Sequence, residues 1–191
     1  MPMYCDIDCI LNACISSRSK GVGRVALLIE DFPRRHHQVN EFAKLLCLLA
    51  EHGAKATFLV DWCNIRECGH GAAVSEIMRL LKLNDHEVAI RFRIDVRESY
   101  NLQQHAVEAL HFFQRVYGIT VVSAKVSSCL PRPRGALETL GVTIIDTVRS
   151  QHVVKDSVDV LTDVEGFLDD MKGVACVPVS ELADETNQRT P

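Results

Sequence analysis

The chain has 191 residues, of which 47% are apolar, so it fits one domain of ordinary size with a substantial core. Its net charge of −4 argues against a nucleic-acid-binding surface, and no run reaches the roughly 18 apolar residues that a membrane helix needs. We therefore expect neither a nucleic acid nor a membrane as a partner.

The first predicted elements are two strands with a helix between them, over residues 24–29, 39–52 and 56–60. Glu30 and Asp31 stand where the first apolar run stops, and Asp61 ends the second. Ligands of parallel α/β sheets sit beyond the carboxyl ends of the strands. These three acids therefore mark the edge at which chemistry would be expected.

Further strands and helices alternate along the chain. Strands are predicted at residues 87–92, 119–126, 142–148, 157–161 and 174–178, and helices at residues 72–83, 101–117, 133–140 and 164–171. This alternation indicates parallel β/α units. We predict an α/β fold, namely an incomplete or distorted parallel (β/α) barrel of about seven strands. A dinucleotide-binding sheet has no support, because no GxGxxG follows the first strand.

The organisation predicted from the sequence is one domain with two tails. The domain covers residues 23–183, the tails are residues 1–22 and 184–191, and the segment 150–156 is a flexible loop. The N-terminus is a poor secretory signal, since it carries Asp6 and Asp8 early and lacks a basic region. This predicts a cytoplasmic protein, or a secreted one if the N-terminus is incomplete.

Three groups of cysteines and histidines are further candidate metal ligands: Cys5, Cys9 and Cys14; Cys63, Cys68 and His70; and His36 with His37. The first group matches no common metal-binding spacing, and we interpret it as part of a loosely structured leader. The second has an unusual spacing for zinc. The third follows the first strand and could bring imidazoles to the site, although such a run more often forms a solvated loop.

Five segments resemble motifs of one known family. They are LIEDFP at residues 28–33, LLCLLAEHGAKATFLV at 45–60, DHEV at 85–88, LPRPRGALETLGV at 130–142 and VEGFLDDMKGVACVPVSEL at 164–182. In this order they resemble the polysaccharide deacetylases, the NodB-type homology domain, and AEHGAKATFLV is the most specific match. The resemblance implies that family's distorted parallel barrel. It also implies hydrolysis of non-peptide C–N bonds, the N-acetyl groups of carbohydrates.

The resemblance further implies a set of site residues. Family members hold a divalent metal with one Asp and two His, and use an acid as general base and a late His as general acid. Asp31 matches the metal-binding Asp, and Glu30 matches the base position. Arg91 and Asp95 fall on the two metal-binding histidines, and Thr162 falls on the late His.

These replacements favour a catalytically inactive relative. A guanidinium stays protonated and has no acceptor, so Arg91 cannot ligate a cation. We therefore expect no cofactor, although weak binding of a divalent metal such as zinc remains compatible with Asp31. Two interpretations of Arg91 stay open: it pairs with Asp31 or Asp61 in an ion-pair network that fills the former metal site, or it belongs to a solvated strand end with scattered surface charges. Arg132, one residue from the position of a family arginine, would also line the site.

Two classes of function remain open. The first is an active metal-dependent sugar N-deacetylase with a non-standard site, in which Asp31 is a ligand, Glu30 is the base and Asp95 is a substitute ligand. The second is an inactive relative that binds a partner or a carbohydrate. An N-acetylated carbohydrate is the partner that the resemblance implies. Fold alone does not decide between the two classes.

Overall fold

The computed structural model describes residues 24–32, 39–68, 71–93, 102–127, 132–145, 151–155 and 160–188. Its strands are β1 (Arg24–Phe32), β2 (Ala56–Asp61), β3 (Glu87–Arg93), β4 (Ser123–Ser127), β5 (Thr143–Ile144), β6 (Gln151–Lys155) and β7 (Ala175–Cys176). Its helices are α1 (Val39–Glu51), α2 (Trp62–Cys68), α3 (Ala72–Leu83), α4 (Leu102–Phe112), α5 (Arg132–Glu138), α6 (Val160–Asp170) and α7 (Val179–Gln188). A π-helical turn, Phe113–Tyr117, continues α4.

The strands form one parallel sheet in the order β5-β4-β3-β2-β1-β6, and β7 pairs with the beginning of β1. Each pairing between them is parallel. The sheet is curled into part of a barrel, as the sequence predicts. β1, β2 and β3 are adjacent, and their carboxyl ends lie together at what we call the upper edge. This confirms the predicted arrangement of the first three strands.

The side-chain alternation of the strands divides the core into two clusters. On β1, Val25, Leu27 and Ile29 belong to the larger cluster, which also contains the buried faces of α1 and α3. Ala26 and Leu28 belong to the smaller cluster, together with Val179, Leu182 and Ala183 of α7. Successive residues of a strand face opposite sides of the sheet. We call the side that faces α7 the inner face.

Helix α7 closes the lower edge of the sheet through polar contacts to strand beginnings. The Val179 N–H donates to Thr57 Oγ1 at 3.0 Å. Ser180 donates its backbone N–H, at 3.0 Å, and its hydroxyl to Glu87 Oε2. The Ser123 hydroxyl donates to the other oxygen of Glu87. The lower edge is thus used for stability, and the upper edge remains for a site.

The sequence prediction is wrong at residues 151–155 and at residues 160–161. Residues 151–155, predicted as part of a flexible loop, form β6 beside β1. Residues 157–161 are predicted as a strand, yet Val160 already belongs to α6, and residues 156–159 lie outside the described part of the chain. Val164 and Leu168, four residues apart, are both buried. The helical period of these residues therefore outweighs the short alternation that suggested a strand.

Other boundaries differ less. β4 begins at Ser123, because the π turn ends at Gly118 with φ 62° and residues 119–122 follow it without strand pairing. α2 is absent from the sequence prediction, and α7 extends to Gln188, into the segment predicted as a C-terminal tail. No helix in the described part of the chain is long and apolar enough to cross a membrane.

Candidate functional site

Four charged side chains lie together on the inner face of the upper edge: Glu30 of β1, Asp61 of β2, Arg91 of β3 and Lys125 of β4. In the strand register, Asp61 stands beside Arg91, and Arg91 stands beside Lys125. Glu30, Asp61 and Arg91 are 5%, 3% and 8% exposed. The register between β1 and β2 shifts between Ile29 and Phe32, so β1 is irregular where its acid stands.

Glu30 is the centre of this group. Its Oε2 accepts a hydrogen bond from Arg91 Nη2, and its Oε1 accepts one from Lys125 Nζ, both at 2.5 Å. β1 and β4 are three strand spacings apart, which on a flat sheet is roughly 14 Å. The contact therefore depends on the curl of the sheet, which brings side chains of non-neighbouring strands together on the inner face. Both carboxylate oxygens of Glu30 are held by cations.

Asp61 has a different role. Its Oδ1 accepts hydrogen bonds from the backbone N–H groups of Cys63, at 3.0 Å, and Asn64, at 3.3 Å. This is the geometry of an N-cap, and it begins α2 directly after β2. Its Oδ2 forms an ion pair with Arg93 Nε. Asp61 is thus occupied by a helix terminus and an arginine.

Two solved structures resemble this arrangement of strands and helices. A mutant of BA3943, a CE4 family pseudoenzyme with restored enzymatic activity, gives a TM-score of 0.66 at 9% identity, over 85% of this chain and 68% of that one. A family 4 acetyl xylan esterase from Clostridium thermocellum in complex with a cobalt ion gives 0.55 at 16% identity, over 88% and 93%. The chain has the polysaccharide deacetylase fold. No family model matches the sequence, and no curated protein matches it significantly.

The structure gives Arg91 a partner that the sequence prediction did not name. Arg91 donates a hydrogen bond to Glu30, and Asp61 pairs with Arg93. The ion-pair network among the described residues thus includes Glu30. The backbone of Asp31 lies in β1 and its side chain lies outside the described part of the structure, so the pair of Arg91 with Asp31 stays a prediction.

Several candidate ligands cannot be placed by this structure. Outside the described residues lie Asp95, His70, His36, His37, Cys5, Cys9 and Cys14. The side chains of Arg132 and Cys68 are also outside the described part of the structure. Cys63 is half-buried at the beginning of α2, where its N–H donates to Asp61.

Thr162 does not stand at a strand end. It is exposed in the first turn of α6, whereas the deacetylase alignment places it at the end of a late strand. The late strand in this position is β6, and its Lys155 is the Cα partner of Glu30. Lys155 therefore occupies the register position next to the site. The alignment missed it because β6 was interpreted as a loop.

Lys125 is a site residue that the sequence interpretation missed. Ala124 and Val126 are buried in the larger cluster, so Ser123 and Lys125 lie on the other side of β4. A polar residue at every second position of a buried strand was the available signal. It indicates a charged inner face on β4, and Lys125 is the residue that carries the charge.

The described side chains do not fit the divalent metal of the deacetylase family. Among the residues described, no group of three or more His, Cys, Asp or Glu could hold a metal ion. The buried carboxylate Glu30 has a guanidinium and an ammonium on its two oxygens, and neither of these groups has an acceptor atom for a metal. A cation entering here would meet two positive charges.

His86 and Glu87, in the DHEV segment, serve the lower edge. His86 Nδ1 accepts a hydrogen bond from the Ala56 N–H at 3.2 Å, and its ring packs edge-on against Phe58. Burial, with a further contribution from Lys55, lowers the pKa of His86 to about 4, so the imidazole is neutral at pH 7. Glu87 holds α7. This family-like motif therefore has a structural role here.

Proposed function

We propose that the protein is a catalytically inactive relative of the polysaccharide deacetylases, in which an ion-pair network replaces the catalytic metal. The observation that supports this most directly is the state of Glu30, the acid at the position of the family's general base. It is buried, and both of its oxygens accept hydrogen bonds from cations, Arg91 and Lys125.

The charges explain how such a site remains stable. A divalent ion would bring two positive charges to the acids of the upper edge, and Arg91 with Lys125 brings the same number. A buried carboxylate requires partners of this kind. The network therefore balances the negative charge of the upper edge without providing ligands for a metal.

The same contacts oppose catalysis. A general base must reach the proton that it removes with a free acceptor oxygen. Glu30 would have to exchange a charge-assisted hydrogen bond for that contact, and such bonds are among the stronger ones in proteins. Arg91 and Lys125 offer donors only, so they can bind and orient a ligand, whereas they cannot bind a metal.

Carbohydrate binding is the capacity that we propose for this edge. The carboxyl ends of parallel strands are the usual place for a ligand in such folds. One structure of the same fold is an acetyl xylan esterase, which supports a carbohydrate as the class of ligand. An N-acetylated carbohydrate is the ligand that the sequence resemblance favours.

The test is acetate release from N-acetylated chito-oligosaccharides and acetylated xylan, with zinc or cobalt added. We expect no release above the buffer rate, with a family 4 acetyl xylan esterase as the positive control. Metal-dependent release that is lost in both Asp31→Ala and Glu30→Gln would overturn the proposal and establish the active deacetylase. Release that persists in both variants would come from a contaminating enzyme and would leave the predicted inactivity of this site intact.

A further inference from the structure

Lys125 connects the buried network of the upper edge with the solvent. Its side chain is 26% exposed, whereas its partners in the network, Glu30 and the neighbouring Arg91, are buried. Its Nζ donates a hydrogen bond to Glu30 Oε1 at 2.5 Å, and the other oxygen of Glu30 accepts from Arg91. The carboxylate that holds the ammonium is therefore itself held from the opposite side.

The ammonium of Lys125 has hydrogen-bonding capacity beyond Glu30. An ammonium carries three N–H donors, and among the described residues Glu30 is its hydrogen-bond partner. Two N–H groups therefore do not donate to any described side chain. Because the side chain of Lys125 has contact with solvent, a ligand at the upper edge can reach it without displacing the bond to Glu30.

These donors distinguish two forms of one sugar. An ammonium has no acceptor, so a ligand group that bonds to Lys125 must offer an acceptor atom. The carbonyl oxygen of an N-acetyl group is such an acceptor, and hydrogen bonds from charged donors are stronger than neutral ones. In the deacetylated sugar the same position carries an amine, which when protonated only donates, as Lys125 does.

We propose that Lys125 makes the upper edge specific for the acetylated form of a carbohydrate. Its ammonium donates to the carbonyl oxygen of an N-acetyl group, and Glu30 holds the ammonium in position. A site that forms a hydrogen bond with one group of a ligand rejects the analogue that lacks this group. The inference rests on the carbohydrate binding proposed above, and the choice of Lys125 rests on its contacts.

The first experiment is a calorimetric titration of the full chain with N-acetylchitotriose and with chitotriose, its deacetylated form. It is carried out at about pH 6, where the amines of chitotriose are mostly protonated. We expect N-acetylchitotriose to bind at least about tenfold more tightly. Because only the ligand changes, the result does not depend on the folding of a variant. Equal affinity for the two trimers, or tighter binding of chitotriose, would overturn the inference.

The second experiment changes the protein. Lys125→Met keeps the length of the side chain and removes its donors, so it should weaken binding of N-acetylchitotriose by about tenfold and leave that of chitotriose nearly unchanged. Lys172→Met is the matched control, because Lys172 is exposed after α6, where it pairs with Asp169. It should bind both trimers like the unmodified chain. An unchanged preference in Lys125→Met would overturn the inference, whether its two affinities stay the same or fall together.

The inference and the proposed function can fail separately. Binding of N-acetylchitotriose that does not depend on Lys125 overturns the inference and leaves carbohydrate binding at the upper edge intact. Failure of the unmodified chain to bind either trimer contradicts that carbohydrate binding, and the inference with it. Acetate release tests the proposed inactivity independently of both.

Discussion

At the scale of single residues, Glu30 can be buried as a carboxylate because cationic side chains surround it. A carboxylate that is 5% exposed is strongly disfavoured as an isolated ion, and Arg91 and Lys125 each supply a charge-assisted hydrogen bond. Removing one partner of such a network lowers the stability of the fold strongly, whereas replacing the whole network by apolar side chains is often neutral or stabilising. Variants of these residues can measure the two effects separately.

The first prediction concerns Arg91. Arg91→Ala leaves a buried carboxylate with one cation instead of two, and should lower the free energy of unfolding by about 3–5 kcal/mol in urea denaturation. Arg79→Ala, the exposed control on α3, should leave the free energy of unfolding nearly unchanged. Equal and small losses in the two variants would contradict the buried network.

Replacement of the whole network by apolar side chains tests whether its ion pairs stabilise the fold relative to an apolar core. The triple variant Glu30→Met, Arg91→Met and Lys125→Met removes all three charges and fills a similar volume. It should be more stable than Arg91→Ala alone, because it removes the buried carboxylate, whereas Arg91→Ala leaves Glu30 buried with one of its two cations. A triple variant that is less stable than Arg91→Ala would show that the ion pairs stabilise the fold outright.

The second prediction concerns His86 and pH. The pKa of His86 is about 4 in the folded protein, below its ordinary 6.5, chiefly because the ring is buried. The unfolded chain therefore takes up this proton at higher pH than the folded protein does. The stability that neutral His86 contributes is complete above about pH 6.5 and is lost as the pH falls towards 4.

Between about pH 7 and pH 5 this group alone should cost roughly 2 kcal/mol of unfolding free energy. His86→Gln keeps an acceptor for the Ala56 N–H and cannot titrate, so its stability should fall less over this range in urea denaturation. His52→Gln, at an exposed position after α1, should keep the full pH dependence. An unchanged pH dependence in His86→Gln would refute the assignment.

At the scale of elements, the spacing of apolar residues predicted most of the helices and strands. The apolar spacing of Phe42, Leu45 and Leu49 indicated α1, and these residues are buried where α1 packs on the sheet. β6 could not be predicted in this way, because its five residues become a strand by pairing with β1. Short segments of this kind are decided by tertiary contacts rather than by local pattern.

The third prediction concerns Asp61 and α2. Asn is nearly as good an N-cap as Asp, so Asp61→Asn should keep the hydrogen bonds to the Cys63 and Asn64 N–H groups. Asp61→Ala removes the cap, which should cost about 0.5–2 kcal/mol in urea denaturation. The pair with half-exposed Arg93 contributes less. Equal losses in the two variants would mean that the charge of Asp61 matters more than the cap.

The fourth prediction concerns the attachment of α7. Ser180→Ala removes the hydroxyl that donates to Glu87 at the beginning of the helix. A hydrogen bond to a charged acceptor is worth more than a neutral one, so amide exchange in α7 should accelerate by about tenfold. Ser75→Ala is the control, since it removes the same hydroxyl from a different helix, α3. Unchanged protection of α7 would contradict the attachment.

At the scale of the whole molecule, the two edges of the sheet have separate roles. Glu87, Ser123 and Ser180 fix α7 at the lower edge, and charged side chains meet at the upper edge. This division is the one expected of parallel barrels, in which one end stabilises and the other carries the site. It also separates the contacts that hold α7 from the charged side chains of the upper edge.

The sequence predicted where the charged residues lie in the sheet, but it did not predict which of them contact each other. Glu30, Asp61 and Arg91 could be placed at the carboxyl ends of strands, because each follows or ends a buried apolar run. Their partners could not be predicted, since the contact of Glu30 with Lys125 depends on how strongly the sheet curls. Periodicity determines the face of a strand on which a residue lies, and curvature is a property of the complete sheet.

The most direct test of the account is a calorimetric zinc titration of the unmodified chain and of Arg91→His combined with Asp95→His. Those substitutions put histidines at the two positions that the deacetylase resemblance assigns to metal-binding imidazoles, while Arg91→Gln with Asp95→Asn makes the same charge changes without adding imidazoles. We predict no saturable zinc binding by the unmodified chain or by the Gln and Asn control, and a gain in zinc affinity in the double His variant. Stoichiometric zinc binding by the unmodified chain, lost on Asp31→Ala, would contradict the claim that cations have replaced the metal.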